Sequence, residues 1–167
     1  MRRYIIILLA VAMTNVAFSQ KDANYNKIKR SYTVNSDGTI DYNYRKELKV
    51  ISLRSFFSVY GETFIVYNPE FQKLKINESY TVRKDGSKVQ TPANAFVEQL
   101  PSTCTNCQRY NGIREMVVVH TALEYDATIV LDYTITSTTT DLNEVIDWVE
   151  NAPIDNYEVS VTLPQGK

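Results

Sequence analysis

The stretch that decides the fold is IREMVVVHTALEYDATIVLDYTITS, which runs from Ile113 to Ser137. It contains two apolar-rich runs, 113–121 and 128–137, joined by a short polar link. The second run alternates between apolar and polar residues, whereas the first is apolar on both faces. Period-two alternation rich in β-branched and aromatic residues is typical of a half-buried strand, and a run apolar on both faces is expected near the middle of a sheet. The stretch therefore predicts a central β-hairpin.

Alternating runs elsewhere extend the β prediction over most of the chain. Asp37-Gly38 predicts the turn of a first hairpin over residues 28–51, because Asp-Gly supplies the positive φ of a tight turn. The return strand is apolar at every second position from Ile40 to Val50 except at Lys46, whose long stem is expected to snorkel to solvent. Further strands are predicted over residues 63–67, 73–83, 87–90 and 157–163.

Two segments have helical periodicity instead. Apolar residues at positions i, i+3, i+4 and i+7 predict a short helix over residues 52–61, and a similar stripe predicts a second over residues 141–150, where Asp141 and Glu144 are spaced as a capping box. Residues 90–111 form a long irregular stretch, and such loops are often functional. The sequence thus predicts a mainly β protein, an antiparallel β-sandwich of about eight strands with two short helices.

The first 19 residues have the pattern of a signal peptide. Arg2 and Arg3 precede an apolar core over residues 4–13, and Ala17-Phe18-Ser19 offers small residues where a signal peptidase cleaves. The core is too short to remain as a membrane span. We therefore expect residues 20–167 to form a single β-sandwich domain, periplasmic or secreted, with no membrane attachment after cleavage.

The charge balance argues against a nucleic-acid partner. Without Arg2 and Arg3, the 18 basic residues fall to 16 against 19 acidic residues, a formal charge of −3. Proteins that bind nucleic acid need a clustered basic surface, and the basic residues here are interspersed with apolar and acidic ones.

Cys104 and Cys107, spaced C-x-x-C, are the two cysteines of the chain. Export favours oxidation, so an intramolecular disulfide across a tight loop is the plainest interpretation. A redox-active pair would need a helix N-terminus, and zinc would need two further ligands where the sequence offers only His120. Free thiols are the remaining alternative, and no metal or cofactor is predicted.

His120 is the sole histidine and lies in an alternating run. A structural imidazole is favoured over a general base, because one histidine without a placed nucleophile is weak evidence for catalysis. A triad of Cys104, His120 and Asp132 would depend on spatial proximity that the sequence does not supply. The sequence predicts no catalytic residue.

Aromatic residues offer one candidate ligand surface. The chain has 12 tyrosines, most in the apolar register of strands, where packing explains them. Tyr110, Tyr125 and Tyr157 fall in loops or at strand edges instead. They are candidates for a stacking surface that binds sugars, although exposed aromatic residues also occur at protein interfaces.

Several blocks of the sequence resemble a known family. They are YNPEFQKLKI (67–76), VRKDGSKV (82–89), LPSTCTNCQRYNGIREM (100–116) and REMVVVHTALEYDATIVLDYTI (114–135). Together they resemble exported bacterial proteins in which a β-sandwich domain of unknown function precedes a transglutaminase-like domain. The resemblance covers residues 28–166 and implies an antiparallel sandwich outside the cytoplasm. The catalytic residues of that family lie in the downstream domain, so none is carried over, and Cys104 and Cys107 depart from its pattern.

These observations predict a non-catalytic exported module that binds a protein partner or supports a downstream transglutaminase-like domain. The alternatives are the N-terminal fragment of a transglutaminase- or protease-like enzyme and a carbohydrate-binding module. The last predicted strand, 157–163, has an apolar face and little charge to protect its edge, which suggests a truncated domain or a homodimer formed through this C-terminal edge strand.

Overall fold

The computed structural model describes residues 21–104, 106, 109, 111–139 and 142–164, with the side chains of residues 57 and 58 left out. The predicted signal peptide, Cys107 and Tyr110 lie outside these residues. The described residues form nine strands: β1 Ala23–Val34, β2 Ile40–Val50, β3 Glu62–Tyr67, β4 Gln72–Val82, β5 Lys88–Gln90, β6 Phe96–Gln99, β7 Arg114–Val119, β8 Thr128–Ser137 and β9 Tyr157–Thr162. The protein is therefore mainly β, and β6 is a strand that the sequence did not predict.

The nine strands form two sheets. One has six strands in the order β5-β4-β8-β2-β1-β9, and the other has three in the order β3-β7-β6. The first hairpin is confirmed, because β1 and β2 pair antiparallel and Gly38 at their turn has a φ of 89°. Asp37 holds this turn by accepting hydrogen bonds from the backbone and the hydroxyl of Thr39.

The predicted central hairpin is wrong. β7 and β8 lie in different sheets, β7 between β3 and β6 and β8 between β4 and β2. The link between them contains Ala122 and Asp126, both with positive φ, and it carries the chain from one sheet to the other. The apolar character of both faces of β7 agrees with its central position in the three-stranded sheet.

The expectation of a wholly antiparallel fold is also corrected. β9 pairs with β1 in parallel, with Ile28 opposite Tyr157 and Thr33 opposite Thr162. The other strand pairs are antiparallel. A parallel neighbour requires a crossover, which is the segment between β8 and β9.

The second predicted helix is wrong. Residues 142–150 have no regular secondary structure, and most of the expected apolar stripe is exposed, with Val145 87% and Val149 81% exposed. β-branched residues have modest helix propensity, and an apolar stripe forms a helix only when a partner surface buries it. We call residues 142–154 the crossing segment, because they lead from β8 to β9.

The first predicted helix is present in a shorter form. A π-helical turn spans Ser55–Val59, after helical residues 53 and 54, and the Ser52 hydroxyl accepts a hydrogen bond from the Ser55 backbone N–H as expected for a cap. Tyr60 at its end is buried, but Leu53 is 69% exposed instead of packed. Two 3-10 turns span Ala93–Ala95 and Ser102–Cys104.

Buried side chains form two clusters on the apolar face of the six-stranded sheet. One lies beneath the π-helical turn and the crossing segment and includes Ile28, Leu48, Tyr60 and Ile129. The other is shared by the two sheets and consists of Ile65, Tyr67, Val118, Leu131 and Ile135. The three-stranded sheet therefore packs on the β8 side of the larger sheet. None of the helical segments in the described part of the chain has the length or apolar character needed to span a membrane.

Candidate functional site

Cys104 is the cysteine that the structure describes. Cys104 ends a 3-10 turn, is half-buried, and has its sulfur 3.9 Å from the Thr103 hydroxyl. The described residues contain no disulfide, but Cys107 lies outside them. The Cys104–Cys107 disulfide stays a prediction.

The two described members of the predicted stacking surface lie apart. Tyr125 is beside Lys84, whose Nζ is 5.7 Å from the ring centroid, near the end of β4. Tyr157 starts β9, and in the sheet order β4 and β9 are separated by β8, β2 and β1. Adjacent strands are about 4.8 Å apart, so Tyr125 and Tyr157 do not share one platform. With Tyr110 outside the described residues, ligand binding by any of the three stays a prediction.

Asp132 and His120 do not form the catalytic pair that a triad would need. Asp132 accepts hydrogen bonds from the side chains of Asn43 and Asn77, each at 2.8 Å, on the polar face of the six-stranded sheet. His120 instead bonds to Thr63 on the buried side. The two side chains therefore point away from each other, and the expected structural role of His120 fits better than a triad.

The interior contains a hydrogen-bonded series of three polar side chains, Lys46, Thr63 and His120. The Lys46 Nζ donates to Thr63 Oγ1 at 2.6 Å, and Thr63 Oγ1 lies 2.7 Å from His120 Nε2. Lys46 belongs to β2, Thr63 to β3, and His120 follows β7. The three groups, which we call the Lys-Thr-His chain, therefore connect the two sheets through their interior.

Strand register places Lys46 in this interior. Its partners on β1 and β8 are Ile28 and Leu131, and both of these side chains are fully buried. Lys46 is only 7% exposed, so the expectation that it snorkels to solvent is wrong. The reason is that the neighbouring strands enclose the lysine stem. The amine therefore bonds to the Thr63 hydroxyl inside the protein and does not extend to water.

Burial changes the proton affinity of both bases. Desolvation lowers the pKa of Lys46 from 10.5 to about 8. Desolvation, and secondarily the charge of Lys46, lowers the pKa of His120 from 6.5 to about 3. His120 is therefore neutral at physiological pH. Strongly perturbed groups of this kind are common at functional sites, although structural networks perturb pKa values too.

A cavity lies beside the imidazole. Its volume is about 370 Å³. The lining consists mainly of apolar side chains from the π-helical turn, β3 and β7, together with Glu62 and His120: Phe56, Val59, Gly61, Glu62, Phe64, Val119 and His120. The His120 backbone N–H donates to the Gly61 carbonyl at 2.8 Å, which fixes the imidazole against this wall. The His120 Nδ1 is buried and has no hydrogen-bond partner among the described residues.

A second candidate surface lies along β9. This strand is at the end of the six-stranded order, and no second described strand pairs with it. The Trp148 ring packs on Tyr157 at 4.8 Å between centroids yet remains 63% exposed, and Val161 and Leu163 are also exposed. We call Trp148, Tyr157, Val161 and Leu163, with the free backbone edge of β9, the β9 edge surface.

Arg30 anchors this surface to the sheet. Its guanidinium lies 5.5 Å from the ring centroid of Tyr44 and 5.8 Å from that of Tyr157, and it pairs with Glu150 at 3.4 Å. The Tyr157 hydroxyl donates to the Asp147 carbonyl at 3.1 Å. Arg30 on β1 thus fixes both the crossing segment and the start of β9.

Comparison with known proteins identifies the family. Residues 36–167 match the family model described as a Domain of Unknown Function with solved-structure structure, DUF3857. The chain belongs to the DUF3857 family. This DUF3857 chain is also similar to a crystal structure described as a putative protease from Parabacteroides distasonis ATCC 8503, with 44% sequence identity and a TM-score of 0.79.

That similarity covers 87% of the DUF3857 chain but only 29% of the Parabacteroides protein. The chain therefore spans less than a third of the length of this relative. No curated protein matches the DUF3857 chain.

The Lys-Thr-His chain of the DUF3857 domain was missed because its three members are far apart in the sequence. Lys46 was visible as the single charged residue in the apolar row of β2, and that exception was the available signal. The sequence carried no comparable signal for Thr63 or for the cavity. Both depend on how β3 packs against β2 and on how the π-helical turn closes over these strands.

Proposed function

We propose that this DUF3857 chain is an exported, non-catalytic β-sandwich module whose function is to dock a protein partner along β9. In longer proteins of this kind, the partner is the remainder of the same polypeptide, a transglutaminase- or protease-like catalytic domain. The observation that carries the proposal is the β9 edge surface, which combines an unpaired strand edge with exposed apolar side chains.

The physical argument starts from the strand edge. An edge strand offers a row of N–H and C=O groups that another strand can pair with, and native proteins usually protect such an edge with charge, proline or a covering element. Ser160 and Thr162 supply no charge, and Glu158 is occupied by Lys29, with its carboxylate 3.1 Å from the Nζ. The β9 edge is therefore poorly protected among the described residues, which favours strand addition by a partner.

Apolar side chains beside the edge supply the rest of a docking surface. Trp148 and Tyr157 form a rigid aromatic pair, and aromatic residues are enriched at the centre of protein interfaces. Val161 is 55% exposed on the face of β9 that also carries Tyr157. Backbone hydrogen bonds between β9 and a strand of the partner would supply affinity. The side chains of Trp148, Tyr157 and Val161 would set the register of the added strand.

The length of the Parabacteroides relative supports the choice of partner. The matched part is 29% of that protein, so most of it lies outside the DUF3857 region. A catalytic role for that remainder fits the description of the relative as a putative protease. The β-sandwich arrangement is supported by the buried cluster that both sheets share, and an exported location by the predicted signal peptide.

The test is a binding measurement with a matched control. The remainder of the Parabacteroides protein, expressed apart from its DUF3857 region, is titrated with this chain in a calorimeter. We expect saturable binding that Val161→Lys weakens at least tenfold, since the lysine places a charge in the interface. Val97→Lys, at an exposed position of β6, is the control and should bind like the wild type.

Two outcomes would contradict the proposal. A dimer of this chain in light scattering, lost in Val161→Lys and without affinity for the remainder, would assign the β9 edge surface to a homodimer. A chain that stays monomeric at high concentration and does not bind the remainder would show that β9 is not a docking edge.

A further inference from the structure

We propose that the cavity beside His120 is a ligand site that takes a small molecule with an apolar group and a terminal carboxylate. The site is separate from the β9 edge surface and does not depend on the function proposed for that surface. Three observations carry the inference: a buried nitrogen without a hydrogen-bond partner among the described residues, a buried cation without an ion pair among them, and a partly apolar cavity of suitable size.

The hydrogen-bond directions identify the first group. A lysine ammonium can only donate, so Thr63 Oγ1 accepts from Lys46. The hydroxyl proton of Thr63 is then available to His120 Nε2, which lies 2.7 Å away. A neutral imidazole that accepts at Nε2 carries its own proton on Nδ1. We assign the Thr63 hydroxyl proton to the bond with Nε2, and in this assignment the chain Lys46–Thr63–His120 ends in an Nδ1–H donor.

This donor has no acceptor among the described residues, although the His120 side chain is only 5% exposed. An unsatisfied buried donor costs about 1–3 kcal/mol, which is why such groups are rare. His120 lines the cavity, and its Nδ1 is closed to solvent in the free protein, so a ligand oxygen seated there satisfies the donor once the imidazole turns slightly toward the cavity.

Charge selects the class of ligand. Lys46 is 7% exposed and makes no ion pair with a described acidic residue. Glu62 is the acidic residue on the cavity wall, and it is exposed at the rim and screened by water. Glu150 acts on Lys46 through space, and this effect is smaller than the desolvation of the amine. A carboxylate bonded to His120 would approach the buried cation through the polarised Thr63 hydroxyl, so an anion is favoured over a neutral carbonyl.

The other walls of the cavity favour a ligand with an apolar tail. Four of the seven lining residues have apolar side chains, namely Phe56, Val59, Phe64 and Val119, and Phe64 and Val59 are exposed apolar residues of the kind that ligands cover. A cavity of about 370 Å³ is at the small end of the range for ligand pockets. It has room for a short aryl or alkyl group and not for a folded peptide.

The experiment uses His120 as its own reporter, because it is the only histidine of the chain. The purified full chain is titrated with 4-phenylbutyrate and, in parallel, with the neutral amide 4-phenylbutanamide. Imidazole ¹⁵N shifts are recorded by NMR. We expect the free protein to show protonated Nδ1, and we expect the carboxylate to shift this resonance saturably with at least tenfold higher affinity than the amide.

Two variants separate the site from general effects. Val119→Phe fills the cavity and should abolish binding, while Lys46→Met should weaken carboxylate binding at least tenfold and leave amide binding unchanged. Lys75→Met, at an exposed position of β4, is the matched control and should bind like the wild type. Thermal melting confirms that each variant is folded.

Other results would overturn the inference. Equal affinity for the carboxylate and the amide would contradict the proposal that the ligand is a carboxylate. Carboxylate binding that Lys46→Met does not alter would contradict it too. A failure of both compounds to shift the His120 resonances would remove the site itself. An imidazole protonated at Nε2 in the free protein would contradict the hydrogen-bond directions from which the argument starts.

Discussion

Lys46 Nζ and Thr63 Oγ1 lie 2.6 Å apart and join the six-stranded sheet to the three-stranded sheet by a hydrogen bond between β2 and β3. Each of these strands also contributes apolar neighbours, so the polar contact is enclosed by hydrocarbon. A charged amine in such a place is costly unless it is well paired. The Lys-Thr-His chain therefore reduces stability at neutral pH, and its effect on stability is measurable.

Replacement of Lys46 by methionine should stabilise the protein at pH 7. The pKa of Lys46 falls from 10.5 to about 8 on folding, and each pKa unit corresponds to about 1.4 kcal/mol, so removal of the charge should add about 3 kcal/mol to the free energy of unfolding. The measurement is urea unfolding, with Lys75→Met as the control for loss of one lysine.

The same site predicts the alkaline behaviour of the wild type. Between pH 8 and 10 the unfolded chain holds the Lys46 proton more tightly than the folded chain, so the stability of the wild type should rise with pH and that of Lys46→Met should not. Above pH 10 half-buried tyrosines such as Tyr42 and Tyr44, whose pKa values desolvation raises, reverse the trend because they ionise more readily once unfolded. A wild-type stability that is flat from pH 8 to 10 would contradict the assignment.

His120 should make the protein sensitive to mild acid. Its pKa falls from 6.5 to about 3 on folding, so between these values the unfolded chain binds a proton that the folded chain does not, and stability falls as the pH falls. From pH 6.5 to 4.5 the loss should be about 2–3 kcal/mol. His120→Gln should lose this dependence in urea unfolding at pH 6.5, 5.5 and 4.5.

The chain offers a clean background for this experiment, because no second histidine titrates in the range. Carboxyl groups whose pKa values folding lowers contribute as the unfolded chain takes up protons, which begins near pH 4.5 for Glu158 and at lower pH for Asp37, so most of the range from pH 6.5 to 4.5 reports His120. If His120→Gln keeps the full slope between pH 6.5 and 4.5, another group is responsible.

Arg30 should control the order of the crossing segment. Arg30→Met removes the pair with Glu150 and the contacts with Tyr44 and Tyr157, and we expect the free energy of unfolding to fall by about 1–3 kcal/mol. Trp148, the single tryptophan, reports the loss through its fluorescence, since its ring packs on Tyr157.

Lys29→Met is the matched control for Arg30→Met. Lys29 is the neighbouring cation on β1, but its pair with Glu158 is exposed, and exposed pairs contribute little. Its variant should change the free energy of unfolding by less than about 0.5 kcal/mol. Equal effects of the two substitutions would show that Arg30 acts only through its charge.

Gly86 is required by the turn between β4 and β5. Its φ is 84°, and an added Cβ would meet no atom within 4 Å, so Gly86→Ala tests backbone strain alone. We expect a loss of roughly 1–2 kcal/mol in thermal or urea unfolding. Gly112→Ala is the control, because there an added Cβ would lie 3.9 Å from the Asn68 side chain and no positive φ is needed. A neutral Gly86→Ala would show that the turn adapts.

Local features of the fold were predictable from the sequence, whereas the assignment of strands to sheets was not. Asp37-Gly38 identified the β1–β2 hairpin because the turn chemistry is local. The alternation in β8 identified a strand but said nothing about its partner, and the nearest strand in sequence, β7, lies in the other sheet. A link without glycine, held by positive φ at Ala122 and Asp126, gave no sign that the chain changes sheets there.

The crossing segment does not form the predicted helix, and the physical reason is related. The apolar spacing of residues 142–149 is helical, but spacing stabilises a helix only when another surface buries the stripe. Here the sheet holds the segment through Arg30–Glu150 and Tyr157–Asp147 contacts, which involve one side-chain pair and one backbone carbonyl. These contacts hold the segment without regular secondary structure, and no local pattern reveals them.

The parallel pairing of β1 with β9 has a consequence for how the protein folds. Ser31 and Ser160, which bond through their hydroxyls, are 129 positions apart in the chain. Contacts of such separation are slow to form, because nearly the whole chain must be ordered around the loop they close. β1 is synthesised well before β9, and until residues 157–162 arrive the outer edge of β1 remains open to other chains. We expect nascent or shortened chains that lack β9 to aggregate through β1.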